Sequence, residues 1–142
     1  MIDIEIEDRA WGGAEPVVRQ AAAVAMGARD DSVVILLTDD VAMAALNAEF
    51  RGEPGPTNVL SFPAAVNLED HLGDIALAYG VCAREAVDQG KTLNDHLRHL
   101  VIHGVLHLLG YDHIDDAEAL VMEGLETQIL ASLGVADPYS DD

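Results

Sequence analysis

The sequence predicts an α+β fold, a mixed sheet of four strands covered by about five helices. Three features of the 142 residues lead there. The first 79 residues carry four short stretches of strand-type patterning, separated by helical spacing or loops. From Val81 onward the spacing is helical throughout, and Gly, Pro or Asp stands at each changeover. The length suits one domain over residues 1–142, because a single core usually serves about 100–200 residues.

Ile2, Ile4 and Ile6 alternate with Asp3, Glu5 and Glu7, the mark of a strand with one wet face. Pro16 opens a helix to about Met26, because its missing N–H costs nothing in a first turn. Val17, Val18, Ala21, Val24 and Ala25 supply that helix's apolar face, and Gly27 ends it. SVVILLT (32–38) reads as a buried strand, followed by the N-cap candidates Asp39 and Asp40 of a helix through Met43, Leu46 and Phe50.

RGEPGPTN (51–58), with two prolines and two glycines, is predicted to be irregular. VLSF (59–62) is a strand stopped by Pro63, AAVNLEDH (64–71) a loop, and GDIALAY (73–79) the fourth strand. A helix from Val81 to about Gln89 stops at Gly90. Thr92 caps a long helix to Leu109, stopped by Gly110. The last helix runs from Asp115 or Asp116 to about Leu133, before Gly134 and a polar tail expected to fray. The first two strands suit a parallel pair joined by a helical crossover.

Seven Lys and Arg face 26 Asp and Glu, for a net charge of −19. The basic residues are Arg9, Arg19, Arg29, Arg51, Arg84, Lys91 and Arg98, so the chain after Arg98 has none. Bulk RNA, DNA and anionic membrane should be repelled, and a polyanionic substrate needs a local positive device such as a metal or a focused arginine. The longest Val/Ile/Leu run, Val33–Leu37, is far short of the roughly 20 apolar residues that span a bilayer. The opening MIDIEIEDRA lacks the basic start and apolar block of a secretory signal. The single cysteine, Cys82, suits a reducing compartment, so a cytoplasmic protein is expected.

The chemistry concentrates in HLVIHGVLHLLGYDH (99–113). His103 and His107 lie four apart on a helix, about 40° around its axis and about 6 Å along it, so both imidazoles can converge on one ion. Six further helical steps would carry His113 to another face, but a stop at Gly110 lets the GYD turn bring it back. His99 shares the stripe of His103 and His107, so two trios compete: His99/His103/His107 and His103/His107/His113. The glycine and turn favour the second. Solvated or packed histidines are the plain alternative, and Leu100, Val101, Leu106, Leu108 and Leu109 are core in either case.

Three neutral imidazoles form a catalytic type of zinc shell with one position open, and nickel or another divalent transition metal accepts the same donors. Such an ion can lower the pKa of water to about 7. The HExxH peptidase pattern is broken, because Gly104 stands where its glutamate would be. Phosphodiester cleavage remains open to this site.

HGVLHLLGYDH (103–113) resembles the signature of the YbeY family of bacterial metal-dependent endoribonucleases. RGEPGPTNVLSFP (51–63) and LGDIALA (72–78) resemble that family's two other motifs, in the same order. The likeness runs from the first strand to the helix after His113. It implies a zincin-like metal helix, one zinc ion on His103, His107 and His113, and a catalytic role for Arg51. It further implies cleavage of single-stranded RNA in late small-subunit ribosomal RNA 3′-end maturation and ribosome quality control, alongside small-subunit components. Rival readings are a non-catalytic ribosome-assembly factor with a structural metal, or another metal-dependent hydrolase. Asp74 and Asp112 are candidates to orient ligand imidazoles, with capping and turn formation as equal explanations. Ser61 is expected to bond within the sheet region.

Overall fold

The structure, a computed structural model, describes residues 1–65 and 70–139. Its strands are β1 (Ile2–Ile6), β2 (Ser32–Thr38), β3 (Val59–Pro63) and β4 (His71–Ala78). The α-helices are α1 (Glu15–Met26), α2 (Asp40–Arg51), α3 (Tyr79–Asp88), α4 (Leu93–Leu108) and α5 (Asp116–Ser132). A short 3-10 turn at Arg9–Trp11 precedes α1 and seats Trp11, whose indole N–H donates to the Thr38 carbonyl at 2.9 Å.

The sheet order is β1-β2-β4-β3. β1, β2 and β4 are parallel, with Ile4 opposite Ile35 and Ile35 opposite Ile75. β3 runs antiparallel on β4 at the edge, with Ser61 opposite Ile75. This is the mixed four-stranded, five-helix α+β architecture that the sequence predicts, and α1 is the crossover between β1 and β2.

Strand alternation divides the core in two. Val33, Ile35, Leu37, Ile75 and Leu77 share the larger cluster with Val18 and Ala21 of α1 and Leu97, Val101 and Val105 of α4. Leu60, Ala76 and Ala78 point to the opposite face, where Met43 of α2 completes the smaller cluster. β2 and the Ile75–Ala78 half of β4 are thus covered on both sides, which is why each reads as an unbroken apolar run.

Several local expectations change. Arg51 is the last residue of α2, not the start of the loop, because the left-handed Gly52 (φ 67°) closes the helix one residue later. In α1, Ala22 and Met26 turn inward while Val24 lies at the surface. β4 begins at His71, paired with Ser32, and Tyr79 already belongs to α3. Residues 66–69 of the predicted 64–71 loop, and residues 140–142 of the tail, lie outside the described residues. The tail is docked as far as Tyr139: the Val135 N–H donates to the Leu130 carbonyl at 2.9 Å, and Thr127 donates to Asp137 at 3.2 Å.

The helix caps follow the sequence. Asp39, Thr92 and Asp115 each accept a backbone N–H from three residues ahead, at 2.7, 3.1 and 2.8 Å. Gly104 sets how closely α4 crosses the sheet. A Cβ there would come within 3.1 Å of Ile75 Cδ1 and 3.3 Å of Ser61 Oγ. Its absence lets the helix lie against β3 and β4, with His103 and His107 beside the edge strand.

Candidate metal centre

His103 and His107 occupy successive turns near the end of α4, with ring centroids 4.6 Å apart. The helix closes at Leu108; the N–H groups of Gly110 and Tyr111 then donate back to the His107 and Leu106 carbonyls, both at 3.0 Å. Gly110 adopts φ 103°, a conformation that L side chains rarely take, and this reverses the chain. Asp112 accepts the backbone N–H of His113 at 2.7 Å and braces the turn. The His113 ring thereby lies 5.4 Å from that of His103 and 5.0 Å from that of His107.

One ring nitrogen from each of the three lies within 4.8 Å of the others. Among the described residues no fourth His, Cys, Asp or Glu joins this group. Burial, and then the neighbouring His103 and His113 rings, lower the pKa of His107, which favours the neutral form that can donate a lone pair. Three imidazole donors, with no fourth His, Cys, Asp or Glu among the described residues, fit a zinc-type divalent ion.

His99 does not join the group, because its Nε2 lies 3.3 Å from Glu126 Oε2 and 3.2 Å from the Tyr139 hydroxyl. Glu126, on α5, is fully buried and also sits 2.5 Å from Nδ1 of His103. The Tyr139 hydroxyl donates to its other oxygen. Burial pushes the Glu126 carboxyl up, but hydrogen bonds from His103, His99 and Tyr139 outweigh it and hold the pKa at about 2. The sequence reading missed this residue. Its signal is an acid placed between Met122 and Leu130 at intervals of four, on the stripe that α5 buries.

The three histidines line a cavity of about 1070 Å³ that Arg51 enters from the end of α2. Among the described residues Arg51 is the only Lys or Arg on its wall, which Glu53 and Asp112 also line, and it has no ion pair. The loop beside Arg51 is irregular but tied down. Asn47 donates to the Gly55 carbonyl at 2.9 Å, and Asn58 donates at 3.0 Å to Glu85, which in turn contacts buried His96 at 2.9 Å.

Asp74 lies 2.9 Å from Nε2 of His71 and so is engaged away from the three ligand candidates. Ser61 is paired opposite Ile75 in the β3–β4 ladder, and its hydroxyl donates to the Gly104 carbonyl at 3.3 Å, tying β3 to α4.

An open mixed sheet crossed by a helix that ends in a histidine cluster defines an α+β protein with a zincin-like metal site. The chain belongs to the endoribonuclease YbeY family, whose model, described as Endoribonuclease YbeY, matches residues 3–134. It is 51% identical over 148 residues to the endoribonuclease YbeY of Maricaulis maris, covering 99% of this chain and 92% of that one. Its identity to the Paramagnetospirillum magneticum endoribonuclease YbeY is also 51%, over 158 residues, covering 99% and 96%. The solution structure of a Thermotoga maritima protein superposes with a TM-score of 0.65 at 28% identity, covering 94% of this chain and 89% of that one.

Proposed function

We infer that the three-histidine cavity is where this endoribonuclease cleaves RNA, with the substrate single-stranded and the work done by one domain over residues 1–142. The observation that carries the reading is the convergence of three imidazoles and one guanidinium on a single cavity in a chain of net charge −19. His103, His107 and His113 would hold the ion. Zinc is the proposed metal, with nickel or another divalent transition metal as the alternatives the same donors accept. When bound, the ion supplies Lewis acidity toward a phosphodiester and lowers the pKa of water.

Arg51 presents a planar fork suited to two oxygens of one phosphate, where charge grows in the transition state. Gly104 offers no carboxylate to act as a base in the manner of HExxH peptidases. Duplex binding normally neutralises many phosphates at once. A wall with one arginine between Glu53 and Asp112 suits a single strand brought in locally. Small-subunit ribosomal RNA, in late 3′-end maturation and quality control, is the proposed substrate, presented by components of the small subunit. No helix among the described residues is long and apolar enough to cross a membrane, and the cytoplasm is the proposed location.

The test is cleavage of single-stranded precursor small-subunit RNA, free and within the particle, with metal content measured on the same sample. Cleavage should stop with a chelator and return with added zinc, and His103→Ala should lose stoichiometric metal by elemental analysis. Chelator-insensitive cleavage, or full metal in that variant, would show the assignment to be wrong. Stoichiometric metal with no cleavage in either format would favour an assembly factor with a structural metal.

A further inference from the structure

We propose that Glu126 is a positioning residue for the metal centre, fixing His103 as its Nδ1–H tautomer, and that the docked segment 135–139 holds Glu126 in place. The proposal rests on the reading of His103 as a metal ligand.

The Glu126 side chain is 0% exposed, and no Lys or Arg side chain pairs with it among the described residues. Its partners are Nδ1 of His103, Nε2 of His99 and the Tyr139 hydroxyl. The contact with Glu126 engages Nδ1 of His103, so Nε2 is the nitrogen left to join His107 and His113. A neutral imidazole that offers a lone pair at Nε2 carries its proton on Nδ1, where a carboxylate oxygen is placed to accept it. Donation to a carboxylate also raises the basicity of the opposite ring nitrogen, which strengthens it as a ligand.

The same contacts explain why His99, on the histidine stripe of α4, is drawn out of the cluster. Its ring meets Tyr139 edge-on, with centroids 5.5 Å apart and planes at 89°. Tyr139 itself is held by Asp137, which accepts its backbone N–H at 2.8 Å and the Thr127 hydroxyl at 3.2 Å. A segment beyond the last helix thus reaches a residue that touches the metal site, though it lies far from the substrate cavity in sequence.

The experiment uses the full chain, metal-free and zinc-loaded. Long-range ¹H–¹⁵N correlation of the metal-free wild type should show His103 protonated at Nδ1, and Glu126→Ala should shift it toward the Nε2–H form. Competition against a chromophoric chelator should show Glu126→Gln binding zinc about 10–100-fold more weakly. Tyr139→Phe should weaken zinc binding in the same direction by about severalfold, with the fold checked by circular dichroism. A wild-type His103 protonated at Nε2 overturns the proposal, and this reading does not depend on any variant folding. Unchanged zinc affinity in a folded Glu126→Gln overturns the link to the metal; unchanged affinity in Tyr139→Phe overturns the role of the segment. A wild type that binds no zinc would remove the metal reading instead, while the tautomer measurement would still judge Glu126.

Discussion

Truncating Arg51 to alanine removes the only Lys or Arg side chain that, among the described residues, lines the wall carrying His103, His107 and His113. A hydrogen bond to a charged group contributes about 1.5–3 kcal/mol. A fork gripping two phosphate oxygens, strengthened as charge develops, is therefore worth about 3–4 kcal/mol in the transition state, or about 10²–10³-fold in rate. Metal content should not change, because Arg51 is outside the group of ring nitrogens. Stability should move by less than about 0.5 kcal/mol, since the side chain is exposed and lacks an ion pair among the described residues. With Glu53 and Asp112 left as the charged wall groups besides the histidines among the described residues, substrate binding should weaken too. The assay is single-turnover cleavage of a single-stranded RNA oligonucleotide at matched metal content. Arg51→Lys, which keeps the charge and loses the fork, should recover only part of the rate. A rate for Arg51→Ala within about threefold of wild type would mean that the guanidinium does not touch the reacting phosphate.

Two further predictions concern the scaffold. Gly73→Ala would place a Cβ 2.5 Å from the Phe62 carbonyl oxygen and 2.7 Å from Leu108 Cδ2, at φ 153°. Strain and overpacking together should cost about 3 kcal/mol and lower Tm by roughly 10 °C in a thermal melt; an unchanged Tm would show that β3 and β4 relax freely. Burial holds the His96 pKa below its ordinary 6.5, although the hydrogen bond with Glu85 pulls it upward. The unfolded chain then takes the proton first, so His96's contribution to stability is full above about 6.5 and is lost as pH falls through the lowered folded value. Urea unfolding of the metal-free chain from pH 7.5 to 5 should show this decline, and His96→Gln should reduce it; an equal decline in both would assign it to other groups.

Legibility differed between local and remote features. Ile2–Ile6 alternates because one face is wet, and β2 reads as an unbroken apolar run because both its faces are covered. The caps at Asp39, Thr92 and Asp115 and the reversal at Gly110 were readable because each depends on neighbours a few residues away. Where Pro and Gly crowd together, composition located the break but not its edge, so Arg51 falls in the last turn of α2. In α1, apolar residues occur on more than one face of the helix, so periodicity allowed several stripes, and tertiary packing selected Ala22 and Met26 over the larger Val24.

By itself the sequence determined the class of fold, the stripe bearing His103 and His107, and the turn that could return His113 to them, since periodicity and backbone freedom are properties of a short stretch of chain. Only the tertiary structure decided that β3 takes the edge beside β4, that Arg51 opens onto the same cavity as the three imidazoles, and that Glu126 buries its carboxylate against His103. Those pairings join residues ten or more positions apart, and they depend on which faces meet when the layers pack, a choice that no local pattern encodes.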